Sequence, residues 1–232
     1  MDTDKSLERV KQVRRLQWLN RLRKREEEIP EWVSTFHPER LPCQMEEDDL
    51  YGGFNLCKKV VFSNNDAWII RFPIVGKTSQ AHLDEKVAAE VAALRLIHKR
   101  TSIPVPKIMA WGLTSDNALG LGPFIMEEFI QGVSLKSVLR QDAGSTLLRC
   151  DLEEERVEVI YRQLARFMLQ IFNLDFNHID GLPLDSAQTR RPLTVTAHEI
   201  VRLGGVEILG MASLFATSPS VYLVLTAIRS MR

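Results

Sequence analysis

Two apolar runs joined by a short polar turn constrain the fold of this chain most strongly. The runs, Cys57 to Phe62 and Ala67 to Pro73, are rich in the β-branched and aromatic residues that favour strands. The segment between them, Ser63-Asn64-Asn65-Asp66, consists of residue types that favour tight turns. The pattern therefore predicts an antiparallel hairpin. In its second strand, the alternation of side chains places Arg71 on the opposite face from Trp68.

A helix and two further strands are predicted after the hairpin. Between about residues 80 and 99, apolar side chains recur at helical spacing, and Glu90 lies at the border of that stripe. The segment KIMAWG and residues Pro123 to Ile130 are typical of strands, and a long helix is predicted from about Leu152 to Leu174. This order does not alternate strand and helix. The predicted fold class is therefore α+β, with an antiparallel sheet of about five strands and one helix packed on it.

Composition excludes several classes of protein. The chain of 232 residues has 30 basic and 30 acidic residues, so no overall positive charge would attract nucleic acid. Its three cysteines include no close pair, which argues against a disulfide scaffold or a four-cysteine zinc site. The N-terminus has no apolar core of a secretory signal. These features predict a cytoplasmic protein that does not bind nucleic acid.

Two segments leave a membrane-associated helical protein as an alternative. The basic stretch near the N-terminus predicts a helical arm, which we expect to pack on the body of the protein. Residues Ile208 to Ile228 carry no charge and are long enough to span a bilayer. Their middle, Ala216 to Ser220, is polar and contains Pro219, so two shorter buried pieces are the better interpretation. A membrane partner is therefore not expected.

The residues with the clearest chemical potential are a glycine pair, a strand cation and a helix carboxylate. A turn containing Gly52 and Gly53 lets backbone N–H groups approach phosphate oxygens closely. Arg71 on the next strand could hold those phosphates. Glu90 on the following helix could pair with the cation and fix its rotamer. Each signal is weak alone, and their order along the chain gives them weight.

The stretches YGGFN, PVPKI and GLGPFIMEEFIQG carry a resemblance to a known family. The chain resembles the aminoglycoside phosphotransferase and choline-kinase-like family, in its fungal branch, which has a protein-kinase-like fold. The resemblance implies three parts. Residues 1–45 would be an N-terminal helical arm, residues 46–132 a kinase-like nucleotide-binding lobe, and residues 133–232 an incomplete helical C-terminal lobe.

The resemblance also implies roles for individual residues in binding ATP. The residues that match the nucleotide-binding positions are Gly52, Gly53, Phe54, Arg71, Glu90, Glu128 and Ile130. The glycine turn would cover the nucleotide, Arg71 and Glu90 would form the phosphate-holding ion pair, and Glu128 to Ile130 would be the hinge that bonds the adenine edge. Magnesium is expected for the family. The family activity would be ATP-dependent phosphoryl transfer to a small-molecule hydroxyl, and the sequence does not identify the acceptor.

The catalytic loop of that family, H-G-D-x-x-x-x-N followed by a metal-binding Asp, has no match here. His178-Ile179-Asp180 has similar letters, but Asp185 is the last aspartate and leaves no second metal ligand. We therefore assign no catalytic residue and no metal ligand, and expect a chain truncated before the catalytic loop and inactive as given.

Two further expectations follow from the resemblance. The alternative to a truncated enzyme is a non-catalytic, pseudokinase-like module that binds nucleotide. Self-association is also expected, because an incomplete lobe would expose apolar surface around Leu209, Phe215 and Leu225.

Overall fold

The computed structural model describes residues 2–46, 50–52, 54–76, 83–141, 149–176 and 182. Short 3₁₀ turns cover Glu26–Glu28 and Thr114–Asp116. The helices are α1 (Asp2–Arg25), α2 (Ile29–Ser34), α3 (Leu83–Arg100), α4 (Leu135–Leu139) and α5 (Glu154–Phe172). The strands are β1 (Cys43–Met45), β2 (Leu50–Tyr51), β3 (Asn55–Phe62), β4 (Ala67–Pro73), β5 (Ile108–Gly112) and β6 (Phe124–Glu128).

The strands form one antiparallel sheet. Five of them are hydrogen-bonded in the order β1-β3-β4-β6-β5, and the short β2 also pairs with β3. The predicted hairpin is β3 and β4, and Asn65 in its turn has the left-handed backbone angle φ of 67° that asparagine tolerates. The prediction of an α+β fold with an antiparallel sheet of about five strands is confirmed.

The N-terminal helices cover one face of the sheet. Trp18 and Leu22 of α1, together with Trp32 of α2, belong to the same buried cluster as Phe72 and Phe124 of the sheet. The Trp18 indole Nε1–H donates a hydrogen bond of 2.8 Å to the backbone oxygen of Leu121, in the segment between β5 and β6. The arm therefore contributes to the main core, which is apolar and rich in aromatic contacts on this face.

Helix α3 covers the other face of the sheet. Val87 and Val91, part of the apolar stripe predicted for this helix, pack on Ile125 of β6, with Ile108 and Trp111 of β5 alongside. The sequence predicted a helix packed on the sheet through this apolar stripe, and α3 packs on the sheet in that way. Arg71 of β4 lies on this same face, because it is the cross-strand partner of Ile125.

Helix α5 packs on the body through one side only. Ile171 contacts the cluster of Ile97 and Ile103 at the C-terminal end of α3. The large apolar residues of α5 that remain exposed are Val159, Tyr161, Leu164, Met168, Leu169 and Phe172. None of the helices in the described ranges is long and apolar enough to cross a membrane. Ile208 to Ile228, like Leu209, Phe215 and Leu225, lies outside the described residues.

Candidate functional site

A buried ionic cluster joins three elements on the face of the sheet that α3 covers. Arg71 of β4 donates a hydrogen bond from Nη2 to Glu90 Oε1 of α3. Its Nε lies 3.3 Å from Oε2 of Glu127, on β6. The side chains of Arg71, Glu90 and Glu127 are only 10%, 13% and 5% exposed. The ion pair between Arg71 and Glu90, predicted from the sequence, is confirmed, and Glu127 is a third member.

The strand register explains why the three side chains meet. Arg71 lies opposite Ile125 of β6, and Glu127 lies two residues further on, opposite Ile69. Side chains two residues apart on a strand share a face, so Arg71 and Glu127 both point towards α3. On α3, Glu90 is next to Val91, which is buried against the sheet. The carboxylate of Glu90 therefore lies at the edge of the contact between α3 and the sheet.

The cluster contains one cation and two carboxylates. Burial alone would lower the pKa of Arg71, but the neighbouring Glu90 and Glu127 raise it overall, so the guanidinium stays charged. Burial raises the pKa of Glu127 above its ordinary value of 4.5, and Glu90 adds to that rise, while Arg71 opposes it. Two buried atoms in this cluster, Arg71 Nε and Glu127 Oε1, make no hydrogen bond.

Cys57 of β3 lies next to the cluster, as the cross-strand partner of Arg71. Burial raises the pKa of its thiol to about 11, and Arg71 offsets only part of that effect. The thiol is therefore protonated at neutral pH and is not an activated nucleophile. Its role in the cluster is that of a small, neutral neighbour.

The predicted glycine turn lies between β2 and β3. Gly52 donates its backbone N–H to Asn55 O at 2.9 Å, whereas Gly53 lies outside the described residues. The ring of Phe54 has the ammonium group of Lys86 above it, 4.7 Å from its centroid. This contact connects the turn to α3, the helix that carries Glu90.

The predicted hinge residues lie at the end of β6, apart from the ionic cluster. Glu128 follows Glu127 on the strand, so its side chain points to the opposite face, where its Oε1 accepts the backbone N–H of Lys107 at 2.9 Å. Its own backbone N–H donates to Lys107 O. Ile130 is exposed to solvent. The role of these two residues in binding an adenine edge stays a prediction.

The cluster has a hydrogen-bond donor suited to a phosphate-bearing ligand, but its net charge is negative when both carboxylates are ionised. The guanidinium of Arg71 is the group that proteins use to hold phosphate oxygens, and its Nε–H has no hydrogen-bonded acceptor. Two ionised carboxylates beside it would make the local charge negative and oppose an anion. In the described residues no group of three or more His, Cys, Asp and Glu side chains is arranged to hold a metal ion. His178 and Asp180 lie outside those residues.

Comparison with curated proteins finds relatives with one shared name. They are called "Altered inheritance of mitochondria protein 9, mitochondrial". The protein from Clavispora lusitaniae is 25% identical over 124 residues, covering 53% of this chain and 19% of that protein. The one from Debaryomyces hansenii is 25% identical over 131 residues, or 56% and 20% of the two chains. The one from Saccharomyces cerevisiae is 26% identical over 119 residues, or 51% and 18%. No protein-family model matches the chain.

These relatives correct four predictions made from the sequence. The assignment to the aminoglycoside phosphotransferase and choline-kinase-like family is wrong, because the relatives carry the name of a mitochondrial protein. The predicted phosphotransferase activity is wrong for that reason, and so are the descriptions as a kinase and a transferase. The cytoplasmic location is wrong for the same reason. A glycine turn, a strand cation and a helix carboxylate describe a geometry that many functions share, so they did not determine an activity. The matched stretch spans about a fifth of the length of these relatives.

Proposed function

We propose that this chain is a mitochondrial protein whose sheet and α3 bind the phosphates of a nucleotide beside Arg71. The mitochondrial part of the proposal is supported by the shared name of the relatives. The binding part is supported by the ion pair that joins Arg71 of β4 to Glu90 of α3, which is the single observation that carries it. The proposal concerns binding and includes no transfer of a phosphoryl group.

We also propose that the sheet and α3 adopt the architecture of a protein-kinase-like N-terminal lobe. The supporting features are an antiparallel sheet with one helix on the face that bears Arg71, and a turn of Gly52 and Phe54 connected to that helix through Lys86. In such lobes the pair of strand cation and helix carboxylate positions a nucleotide's phosphates. ATP is therefore the nucleotide to test first.

The binding test is a calorimetric titration of the purified chain with ATP, performed with and without magnesium. Removing Arg71 alone would leave two buried carboxylates without a cation, so the test variant combines Arg71→Met with Glu90→Gln and Glu127→Gln. Hydrogen bonds to charged groups contribute about 1.5–3 kcal/mol, so we expect the affinity for ATP to fall roughly 10- to 100-fold. Arg162→Met, at an exposed ion pair of α5, is the matched control and should bind as the wild type does.

Two results would contradict this proposal. Circular dichroism should first show that the wild type and the neutral triple variant are both folded. If the two then bind ATP with equal affinity, Arg71 does not hold the ligand. The location is tested separately, with the full-length gene product carrying a C-terminal fluorescent tag. We expect it to coincide with a mitochondrial marker, and a diffuse cytosolic signal would contradict the mitochondrial assignment.

The relatives' name also suggests the process in which the protein acts. We propose that it contributes to the inheritance of mitochondria, since that is the process their shared name states. Deletion of the gene in its host should change the fraction of daughter cells that receive normal mitochondria. If that fraction does not change, the proposed role in mitochondrial inheritance is wrong, and the proposal that the chain binds a nucleotide is unaffected.

A further inference from the structure

Glu127 is the member of the ionic cluster that the binding proposal leaves unexplained. Arg71 already has a carboxylate partner in Glu90, with which it forms a hydrogen bond. Glu127 adds a second carboxylate that is almost fully buried, and its Oε1 makes no hydrogen bond. An ionised carboxylate in this position costs free energy through lost hydration, and a proton removes that cost.

Among the described residues, the cation in contact with Glu127 is Arg71. From β4 it faces Arg71, from α3 Glu90, and from β3 the neutral thiol of Cys57. On β5 its cross-strand neighbour is the apolar Ile108.

Three other cations of the described residues near this face contact groups outside the cluster. Lys59 of β3 binds Glu46 at 2.6 Å and lies over the ring of Phe129. On α3, Lys86 lies over the ring of Phe54, and Arg95 lies over the ring of Trp111. Within the described part of the chain, Glu127 and Glu90 thus share the guanidinium of Arg71.

We propose that Glu127 takes up a proton from solvent when nucleotide phosphates bind beside Arg71, so that binding and proton uptake are coupled. This inference rests on the function proposed above and adds a positioning residue to that site. With Glu127 ionised, the cluster carries one surplus negative charge, which repels a phosphate. With Glu127 protonated, the charges of Arg71 and Glu90 cancel, and the guanidinium can turn its remaining donors towards the ligand.

The sign of the pH dependence follows from linkage. An anionic ligand next to Glu127 favours its protonated form, so binding raises the pKa of this group further above its already raised value in the free protein. ATP affinity is therefore highest below the pKa of Glu127 in the free protein. It falls by up to about tenfold per pH unit as the pH rises towards the pKa of the complex, and then becomes constant.

The experiment measures ATP binding by calorimetry from pH 5.5 to 8.5, in pairs of buffers with different heats of ionisation. The buffer dependence of the heat gives the number of protons taken up per ATP bound. Glu127→Gln keeps the size and polarity of the side chain but has no proton to exchange. ATP titrates in this range too, and the difference between the wild type and Glu127→Gln cancels that contribution. Glu158→Gln, at an exposed position of α5, is the control for losing a carboxylate elsewhere.

We expect the wild type and Glu158→Gln to take up between roughly 0.3 and 1 more proton per ATP than Glu127→Gln, near the pH where Glu127 titrates. Glu127→Gln should also retain its affinity at high pH, where that of the wild type has fallen. Equal proton uptake and parallel pH profiles, with ATP still bound, would overturn the coupling and leave the proposed function intact. Absence of ATP binding in every variant at every pH would overturn the proposed function, and this inference with it.

Discussion

Replacement of Arg71 by methionine is the perturbation that most directly tests the ionic cluster. Methionine has a similar length and no charge, so the change removes the cation and leaves the carboxylates of Glu90 and Glu127 in place. Both carboxylates are buried between the sheet and α3. In the folded variant they must become protonated, recruit water or force α3 away from the sheet.

The size of the effect follows from the burial of the cluster. Breaking a buried ion pair by removing one partner costs about 3–5 kcal/mol, and here one substitution removes the partner of two carboxylates. Whole domains are stable by only about 5–15 kcal/mol, so Arg71→Met should come close to unfolding the chain at pH 7. The exposed pair of Arg162 and Glu158 provides the scale for comparison, because losing it costs only about 0.3–0.5 kcal/mol.

The sign of the pH dependence distinguishes a charge effect from simple loss of packing. Arg71 opposes the rise in the pKa of Glu127, so without it the pKa of this carboxyl rises further above the ordinary value of 4.5. A group with a raised pKa in the folded state stabilises that state at low pH, and this contribution is lost as the pH rises through the folded-state pKa. The deficit of Arg71→Met relative to the wild type should therefore grow from pH 4.5 upwards, by about 1.4 kcal/mol per pH unit, until the pH reaches the folded-state pKa of Glu127.

The assay is unfolding in urea at a series of pH values, monitored by tryptophan fluorescence. Three of the four tryptophans, Trp18, Trp32 and Trp68, are buried in the core. Addition of Glu90→Gln and Glu127→Gln to Arg71→Met should recover most of the lost stability, because no unpaired charge then remains. A deficit below about 1 kcal/mol at pH 7, or a deficit that does not change with pH, would refute the electrostatic reasoning.

Two further predictions concern packing and association. A Cβ at Gly112 of β5 would lie 2.7 Å from Phe124 Cε1, so Gly112→Ala should lower the free energy of unfolding by about 1–3 kcal/mol in the same assay. Gly132→Ala, where a Cβ would meet nothing within 4 Å, is its control, and equal effects would contradict the packing argument. The exposed apolar stripe of α5 should promote self-association, so Tyr161→Glu with Phe172→Glu should lower the weight-average mass in sedimentation. An unchanged mass would exclude α5 as the contact.

The sequence predicted the elements whose signals are local. The hairpin of β3 and β4 depends on side-chain alternation and turn residues, and α3 depends on an apolar stripe, so each could be recognised within 20 residues or fewer. The long helix, predicted from about 152 to 174, is Glu154–Phe172. The strands β1 and β2 were not predicted, because two or three residues carry no measurable periodicity.

Glu127 was missed because its importance depends on strand pairing. In the sequence it lies at the end of an apolar run, next to Glu128, and the run by itself does not show which of the two carboxylates points inwards. The signal that could have found it is the alternation from Ile125, which places Glu127 on the face that α3 covers. The pairing of β4 with β6, which brings Glu127 close to Arg71, joins residues more than 50 positions apart and is set by tertiary structure.

The contrast between the two faces of the sheet supports placing the site under α3. The face under α1 and α2 has a buried cation too, Lys58, but its partner Glu26 keeps 34% of its side chain exposed, so that carboxylate remains partly hydrated. Among the described residues, the cluster of Arg71, Glu90 and Glu127 has side chains that are at most 13% exposed, and it has more carboxylates than cations. Well-packed apolar residues of similar volume would often be as stable or more stable there. Stability alone therefore does not account for an unbalanced cluster, whereas a ligand or proton that completes its charge would.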